Sequence, residues 1–480
     1  MPTTIKIDPI TRIEGHLVIE VTVDTVRGQQ QVVEAKSTGT MFRGFEMILI
    51  GRDPRDAAQY TQRICGVCPV SHGMASTMTL DDAFGIAPPA NGRVLRNLIL
   101  GANFIQSHLL HFYHLSALDY INTTGLLDMA PFTPRYVKAD MATGAVAEAL
   151  VANYLTALTM RRKAHQMGAI FGGKLPMTGS FIVGGITEQV TNRRIDDFRA
   201  LLTELRAFID NTYVTDAQAL GTLFPNYYNI GAGPSNLLSY GVFDLDGAGD
   251  NFLSSGRYSG GAPGALDPAQ IAEYVKYSWY TSASGGKHPS EGVTEPDPDK
   301  AGAHTWLKAP RYNGQPYELG PLARMWINGD YTNGISAMDR IVARALETKK
   351  IADAMDGWLN QLTPGAPTVT ENTIPTNASG TGLTEAPRGA LGHWMDVENS
   401  VVSRYQVITP TNWNSSPRDD ADVPGSLESA LVGVPVEDLE QPLEVIRVVH
   451  TFDPCQACAV HMARPGKSAD AKILIPPNVA

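Results

Sequence analysis

Apolar and polar residues alternate through HLVIEVTVD, and after Arg27-Gly28 the chain resumes with QVVEAKSTGT, a pattern that predicts a β-hairpin near the N-terminus. Further along, the period changes. From Val94, VLRNLILGANFIQSHLLHFYHLSALDYI places apolar side chains at helical spacing for more than 20 residues without an internal proline. A helix of that length would run ~40 Å, longer than a small domain is wide. A second helical pattern, AVAEALVANYLTALTMRRKAHQMGAIF, stops at Gly172-Gly173 as a helix C-terminus should. A third lies in TNRRIDDFRALLTELRAFIDNTY. The fourth, DRIVARALETKKIADAMDGWLNQL, is preceded by Ser336, and Asp339 completes a capping-box-like spacing in which Asp stands in for the usual Glu. Four long helices suggest a bundle. The expected fold is α+β and predominantly helical: a long-helix bundle core, the N-terminal β-hairpin, and peripheral α/β elements.

Two stretches break these patterns. SASGGKHPSEGVTEPDPDK near residue 290 and TPGAPTVTENTIPTNASGTG from Thr363 to Gly382 are dense in Gly, Pro, Ser and Thr and read as surface excursions, the second also as a possible subdomain boundary. No fixed-period repeat is visible. GAGPSN at Gly231 lacks the third glycine and the strand–helix setting of a dinucleotide loop.

Composition changes the picture mainly by exclusion. The 480 residues are 43% hydrophobic and 18% charged, the make-up of a globular protein with a sizeable core. Its 38 basic and 49 acidic residues give a net charge of −11, which argues against nucleic acid or anionic lipid as a partner. No apolar run is long enough for a membrane span, and MPTTIKIDPITRIEGHL lacks the features of a secretory signal.

Chemistry enters with the cysteines. There are four, in two identical spacings: Cys65 and Cys68 in QRICGVCPVSH, and Cys455 and Cys458 in DPCQACAVH. A CxxC puts both sulfurs within reach of one ion, and two such pairs make a four-thiolate site. A structural zinc clip is the ordinary reading, yet zinc ribbons hold their pairs ~15–20 residues apart, whereas 386 residues lie between Cys68 and Cys455. A redox disulfide of the thioredoxin type belongs near a βαβ pattern, which is not evident. Four thiolates also suit nickel or iron, since soft sulfur stabilises electron-rich metal and can bridge two ions. Spacing alone does not choose the metal.

The surrounding sequence does. RICGVCPVSH, DPCQACAVH, IDPITRIEGHL at residues 7 to 17 and EAPRGALGHW at 385 to 394 together resemble the large, catalytic subunit of nickel-iron hydrogenases. Weaker resemblance in GTMFRGFE, HFYHLSALD, PSNLLSYGVF, PTNWN and EVIRVVHTFDPC extends it through the chain. The resemblance implies that Cys65, Cys68, Cys455 and Cys458 bind nickel, with Cys68 and Cys458 also bridging to an iron that carries carbon monoxide and cyanide. It implies that dihydrogen is split heterolytically, the proton passing to a nearby base such as the Cys455 thiolate. By the same resemblance Arg388 overhangs the metals, Pro387 and Thr411 line the diatomic ligands, and Asp453 is a supporting carboxylate. Glu14 matches the first proton-relay carboxylate, and His72 a donor to a bridging thiolate. Glu46 and His461 match ligands of a magnesium ion. His108, His111 and His114, on the first long helix, are read as core residues without a role.

The resemblance also divides the chain into one large-subunit domain, residues 1–461, and a 462–480 extension, cut between His461 and Met462 by a maturation endopeptidase after nickel-loading proteins have acted. Two departures stand out. Ser107 occupies a position where many relatives carry aspartate, and Met177 one where they commonly have histidine after GKxP. Electrons from dihydrogen need iron–sulfur relays, and all four thiols are already committed. An iron–sulfur small subunit is therefore implied, and with it a periplasmic or membrane-associated location, otherwise a cytoplasmic one. An uptake-type hydrogenase is the leading reading. A regulatory dihydrogen sensor and a nickel-free structural relative are the alternatives.

Overall fold

The computed structural model describes residues 1–459, with side chains through Ala457. The N-terminal hairpin forms where the alternation places it, from β2 (Leu17–Val26) and β3 (Gln29–Gly39), with β1 (Thr3–Ile7) added antiparallel along β2. Its two turn residues, Arg27 and Gly28, have φ of 53° and 86°, the left-handed pair that matches the twist of a tight hairpin. Leu17, Ile19, Val21 and Val23 turn one face into the core.

A buried carboxylate pins β3. Glu428 Oε1 accepts the Ser37 N–H at 2.9 Å, while its Oε2 has no partner among the described residues. Burial pushes this carboxyl up to about 7, against the pull of the Ser37 hydrogen bond and the Arg418 charge. The folded chain thus holds the proton more tightly than the unfolded chain. Below the ordinary value of 4.5 both states are protonated and no penalty exists; the penalty develops as pH rises from 4.5 to about 7 and stays constant above that. Glu428→Gln, which keeps the acceptor for Ser37, is expected to stabilise the protein by on the order of 3 kcal/mol at pH 8 and by little at pH 4.5. Denaturant midpoints at the two pH values test this; an equal effect at both would sink it.

A helix absent from the predicted set, α1 (Pro69–Phe84), starts directly after Cys68. Four further helices follow the predicted periods: α2 (Ala90–Leu109), α3 (Ala145–Gly172), α4 (Asn192–Phe208) and α5 (Ala337–Leu359). Thr191 caps α4 by accepting the Arg194 N–H, and Ser336 caps α5 by accepting the Asp339 N–H at 3.1 Å. α3 ends at Gly173, φ 73°. The expected continuous helix from Val94 is α-helical only to Leu109 and passes into a π-helical turn over Leu110–Ser116. α2 is buried on every side and packs against α3 and α5, with Gly101 pressed on Met355 and Gly168 on Ala102.

A second sheet lies against α1: β4 (Ala378–Ala386), β5 (Gly389–Glu398) and β6 (Val401–Ile408), an antiparallel meander. Here the expectation is corrected, because β4 begins inside the Thr363–Gly382 stretch read as loop. Its Gly380 and Gly382 do not break the strand. They admit the α1 backbone, since a Cβ on either would lie 2.2 Å from the carbonyl of Thr79 or Ala75. Helix and sheet share this mixed α/β chain, and both contribute to the site.

Candidate metal centre

Cys65 follows a 3-10 turn (Thr61–Ile64) in extended conformation, and Cys68 caps the N-terminus of α1. The N–H groups of Val67 and Cys68 point at Cys65 Sγ, at 3.2 and 3.1 Å. Amide donors and a helix N-terminus both favour negative charge on sulfur. At the other end of the chain, α6 (Pro410–Asn414) and α7 (Leu443–Thr451) lead to Cys455, which pairs with Glu14 in a short parallel bridge. Gln456 N–H donates to the Glu14 carbonyl at 2.7 Å, and Cys455 N–H to Thr411 Oγ1 at 3.1 Å. Gly15, φ 79°, is needed at this crossing: a Cβ there would lie 2.6 Å from the Ala457 nitrogen.

The ends therefore meet. The sulfurs of Cys65, Cys68 and Cys455 lie within 4.8 Å of one another, buried, with Cys65 and Cys455 3.2 Å apart. Three soft donors converging at this spacing suit one thiophilic ion. Cys458 belongs to the helical turn Gln456–Ala459, but its side chain, like His461 and Met462, lies outside the described residues.

Polar groups crowd the cluster. Glu14 Oε2 accepts from Cys455 Sγ at 3.3 Å and from the Ala457 N–H at 2.9 Å. Burial and the neighbouring Cys65 charge push the Glu14 carboxyl up to about 7, against its hydrogen bonds and Arg388. Arg388 and Pro387 form the two-residue turn between β4 and β5. The buried Arg388 guanidinium donates to the Asp453 carbonyl (3.0 Å), Asp453 Oδ1 (2.9 Å) and Ser107 Oγ (3.2 Å). Burial opposes its charge, but Asp453 and the three cysteines outweigh burial and raise its pKa. Asp453 is held ionised against burial by Arg388, His111 and Arg344. Ser107 therefore gives Arg388 an acceptor without a second negative charge.

Glu46 is set apart from the sulfurs. It accepts from Val407 N–H at 2.9 Å and from the Thr294 hydroxyl, beside the buried Lys308–Glu273 pair. His72 is fully buried, and burial lowers its pKa to about 4, so the ring is neutral at pH 7. His108, His111 and His114 are core residues bonded to Glu347, the His450 carbonyl and the Tyr154 carbonyl. Met177 is half-buried in the loop after α3.

Sequence reasoning missed two supports. Gln106 on α2 donates to the Val67 carbonyl at 2.9 Å, bracing the first CxxC turn. Arg324, fully buried, is bound to Glu347 and Glu385 and donates to the Ala386 and Pro387 carbonyls at 3.0 and 2.9 Å, fixing the turn that carries Arg388. Within the sequence, only the Glu385 of EAPRG hinted at it.

Known proteins share this arrangement. A family model for nickel-dependent hydrogenases matches residues 43–131 and 127–461, and a HoxL-like model matches residues 4–36. The chain belongs to the nickel-dependent hydrogenase family. It is 44% identical to the periplasmic [NiFeSe] hydrogenase large subunit of Desulfomicrobium baculatum over 95% of both chains. It is 34% identical to the hydrogenase-1 large chain of Escherichia coli K12, over 95% of this chain and 94% of that one. The reduced Ni-Fe-Se hydrogenase from D. vulgaris Hildenborough superposes with a TM-score of 0.92 at 44% identity, covering 96% of this chain and 100% of that one. The protein is thus a hydrogenase large subunit, an oxidoreductase acting on dihydrogen, and its thiolate cluster fits a nickel–iron centre. All four positions of its two CxxC motifs are cysteine.

Proposed function

We propose that the chain catalyses the reversible heterolytic oxidation of dihydrogen, in the uptake direction, with proton release through Cys455 and Glu14. Cys65, Cys68, Cys455 and Cys458 would hold nickel, and Cys68 and Cys458 would share an iron bearing carbon monoxide and cyanide. When bound, that centre supplies the Lewis acidity and redox capacity that polarise dihydrogen and take up its electrons. Cys455 Sγ receives the proton, and Glu14 Oε2, 3.3 Å away, is positioned to take it onward. Arg388 keeps a fixed positive charge over the thiolates, and Asp453 orients it. Pro387 and Thr411 would face the diatomic ligands, and Glu46 with His461 would hold magnesium.

The observation that carries this reading is the convergence of Cys65, Cys68 and Cys455, with Glu14 bonded to Cys455. With every cysteine of the chain in the two CxxC motifs, electrons leave through a partner, an iron–sulfur small subunit that would also direct the pair to the periplasm. Among the described residues no helix is long and apolar enough to cross a membrane. Residues 462–480 would be removed after nickel loading by a maturation endopeptidase.

Nickel and iron analysis of the purified complex, paired with a dihydrogen-dependent dye-reduction assay, tests the assignment. Nickel with turnover supports it; nickel without turnover identifies a sensor, and absence of both a nickel-free relative. Glu14→Gln keeps the acceptor for the Ala457 N–H but cannot take a proton, so turnover should fall ~10²–10⁴-fold with nickel content unchanged. Unaltered turnover in this variant would remove Glu14 from the proton path.

A further inference from the structure

Asp119 closes the 3-10 turn (Ala117–Asp119) that follows the π-helical turn, and its buried carboxylate binds both ends of the chain at once. Oδ1 accepts from the Arg12 guanidinium, and Oδ2 lies 2.5 Å from His450 Nδ1. The backbone reinforces both contacts. The Asp119 carbonyl accepts from Arg447 Nε and Nη2 at 3.0 and 2.8 Å, and Arg12 also donates to the Leu115 carbonyl at 2.6 Å. His450 Nε2 donates to the Thr11 carbonyl at 2.8 Å, a partner that can only accept. Thr11 and Arg12 directly precede the segment of Glu14, while Arg447 and His450 lie on α7, which leads to Cys455.

The bonds between Glu14 and the Pro454–Ala457 segment tie two chain-end segments only to each other. Each of those segments also holds a non-glycine residue in the left-handed region: Arg12, two residues before Glu14, and Asp453, two before Cys455, both have φ 54°. Such a conformation costs ~1–3 kcal/mol and persists only where the surroundings over-determine it. Asp119 supplies that hold on both sides. It binds Arg12 directly, and it binds His450, whose carbonyl accepts from the Asp453 N–H at 2.9 Å. Burial pushes the Asp119 carboxyl up, but Arg12 and His450 outweigh burial and bring it down to about 2, so it is ionised at neutral pH. The other half of the cluster rests on the same helical run, because Gln106 of α2 braces the first CxxC turn through the Val67 carbonyl.

We propose that Asp119 is a positioning residue: by latching Arg12 and His450 to the run that begins with α2, it registers the Glu14–Cys455 pair against Cys65 and Cys68 and sets the distance over which Glu14 takes a proton. This rests on the reading of Glu14 as the proton acceptor. Glu14 Oε2 stands 3.3 Å from Cys455 Sγ, at the outer edge of the ~2.6–3.2 Å over which a positioned base acts. The margin is therefore small. A misplacement of ~1 Å caused far from the reacting atoms can cost ~10²-fold in rate. Asp119 touches no sulfur, and its influence on turnover runs entirely through the two segments it holds.

Asp119→Asn keeps the shape of the side chain and removes the charge that joins Arg12 to His450. In the assembled holoenzyme, turnover per nickel should fall ~10²-fold, the KM for dihydrogen should stay unchanged, and the solvent deuterium isotope effect on kcat should rise, because proton transfer becomes the slow step. Amide hydrogen exchange followed by mass spectrometry should quicken in residues 10–16 and 453–457 together. Arg12→Met, at the partly exposed arm of the latch, should move the isotope effect the same way and decides the matter if Asp119→Asn does not assemble. Arg12→Lys, which keeps a cation for Asp119, should return it towards the wild-type value. An isotope effect unchanged in both Asp119→Asn and Arg12→Met would overturn the proposal, even with faster amide exchange, since Asp119 would then only hold the fold together. Loss of nickel or of dihydrogen-dependent dye reduction in the wild-type complex would instead sink the hydrogenase reading, and amide exchange at unchanged rates in both variants would sink the latch independently of it.

Discussion

Cys455→Ser should abolish nickel retention and turnover together, with an effect larger than that of any other single substitution near the cluster. Serine matches cysteine in shape, so neither a cavity nor a clash accompanies the change. The hydroxyl offers a hard, rarely ionised oxygen where nickel favours soft thiolate. Losing an outer partner of a metal ligand already costs ~10–100-fold in affinity, and loss of the ligand itself should exceed that. Two further functions disappear with the sulfur. Cys455 stands 3.2 Å from Cys65, so the convergent set is reduced, and it is the group bonded to Glu14, so the proton path is cut at its origin. Turnover should therefore fall by more than the ~10²–10⁴-fold that loss of one proton-transfer group costs. Elemental analysis and dye reduction on the purified complex measure both losses, and the thermal unfolding profile checks that the chain still folds. Stoichiometric nickel with ordinary turnover in this variant would show that Cys455 is not a ligand.

That Cys455 and Cys65 would meet was legible in the sequence only as motif chemistry; nothing local to either motif indicates how the intervening chain returns. The folded chain achieves it through Glu14, whose backbone and side chain bind the Pro454–Ala457 segment. Elements governed by local rules were readable. Arg27-Gly28 set the hairpin, Gly172-Gly173 ended α3, and Ser336 capped α5. Elements whose residues answer to a neighbour were not. Glycines at 380 and 382 look like loop in one dimension and prove to be a strand surface shaped for α1. The π-helical turn after Leu109 keeps a helical pattern of apolar residues, so its departure from α geometry leaves no trace in the periodicity. The resemblance supplied Arg388, but not what Ser107 does beside it, which is to accept a hydrogen bond where a carboxylate would have added charge.

Arg324→Met should be the most destabilising single substitution around the site, although residue 324 touches none of the cysteines. Arg324 binds Glu347 through Nε and Nη2 at 2.6 and 2.7 Å and Glu385 through Nη1 at 2.7 Å, and its remaining donor capacity goes to the Ala386 and Pro387 carbonyls. All three ionisable groups are buried. Burial alone would keep both acids protonated. Arg324 reverses this for Glu347, holding its carboxyl near about 2, and only partly for Glu385, which remains at about 7. Methionine preserves much of the volume but strands two carboxylates and two carbonyls. Breaking a single buried ion pair costs ~3–5 kcal/mol, so with two acids served by one guanidinium the loss at pH 7 should reach about 5 kcal/mol or more. If the cost lies in uncompensated charge, Arg324→Met combined with Glu347→Gln and Glu385→Gln should recover most of the stability, because replacing a whole ionic group is far cheaper than removing one partner. If it lies in packing, the triple variant should be no better than the single. Turnover adds the discriminating readout: the triple variant still lacks donors for the carbonyls of the Pro387-Arg388 turn, so stability should return without full activity. Restored stability together with full activity would mean that the bonds of Arg388 to Asp453 and Ser107 suffice to hold it over the cluster.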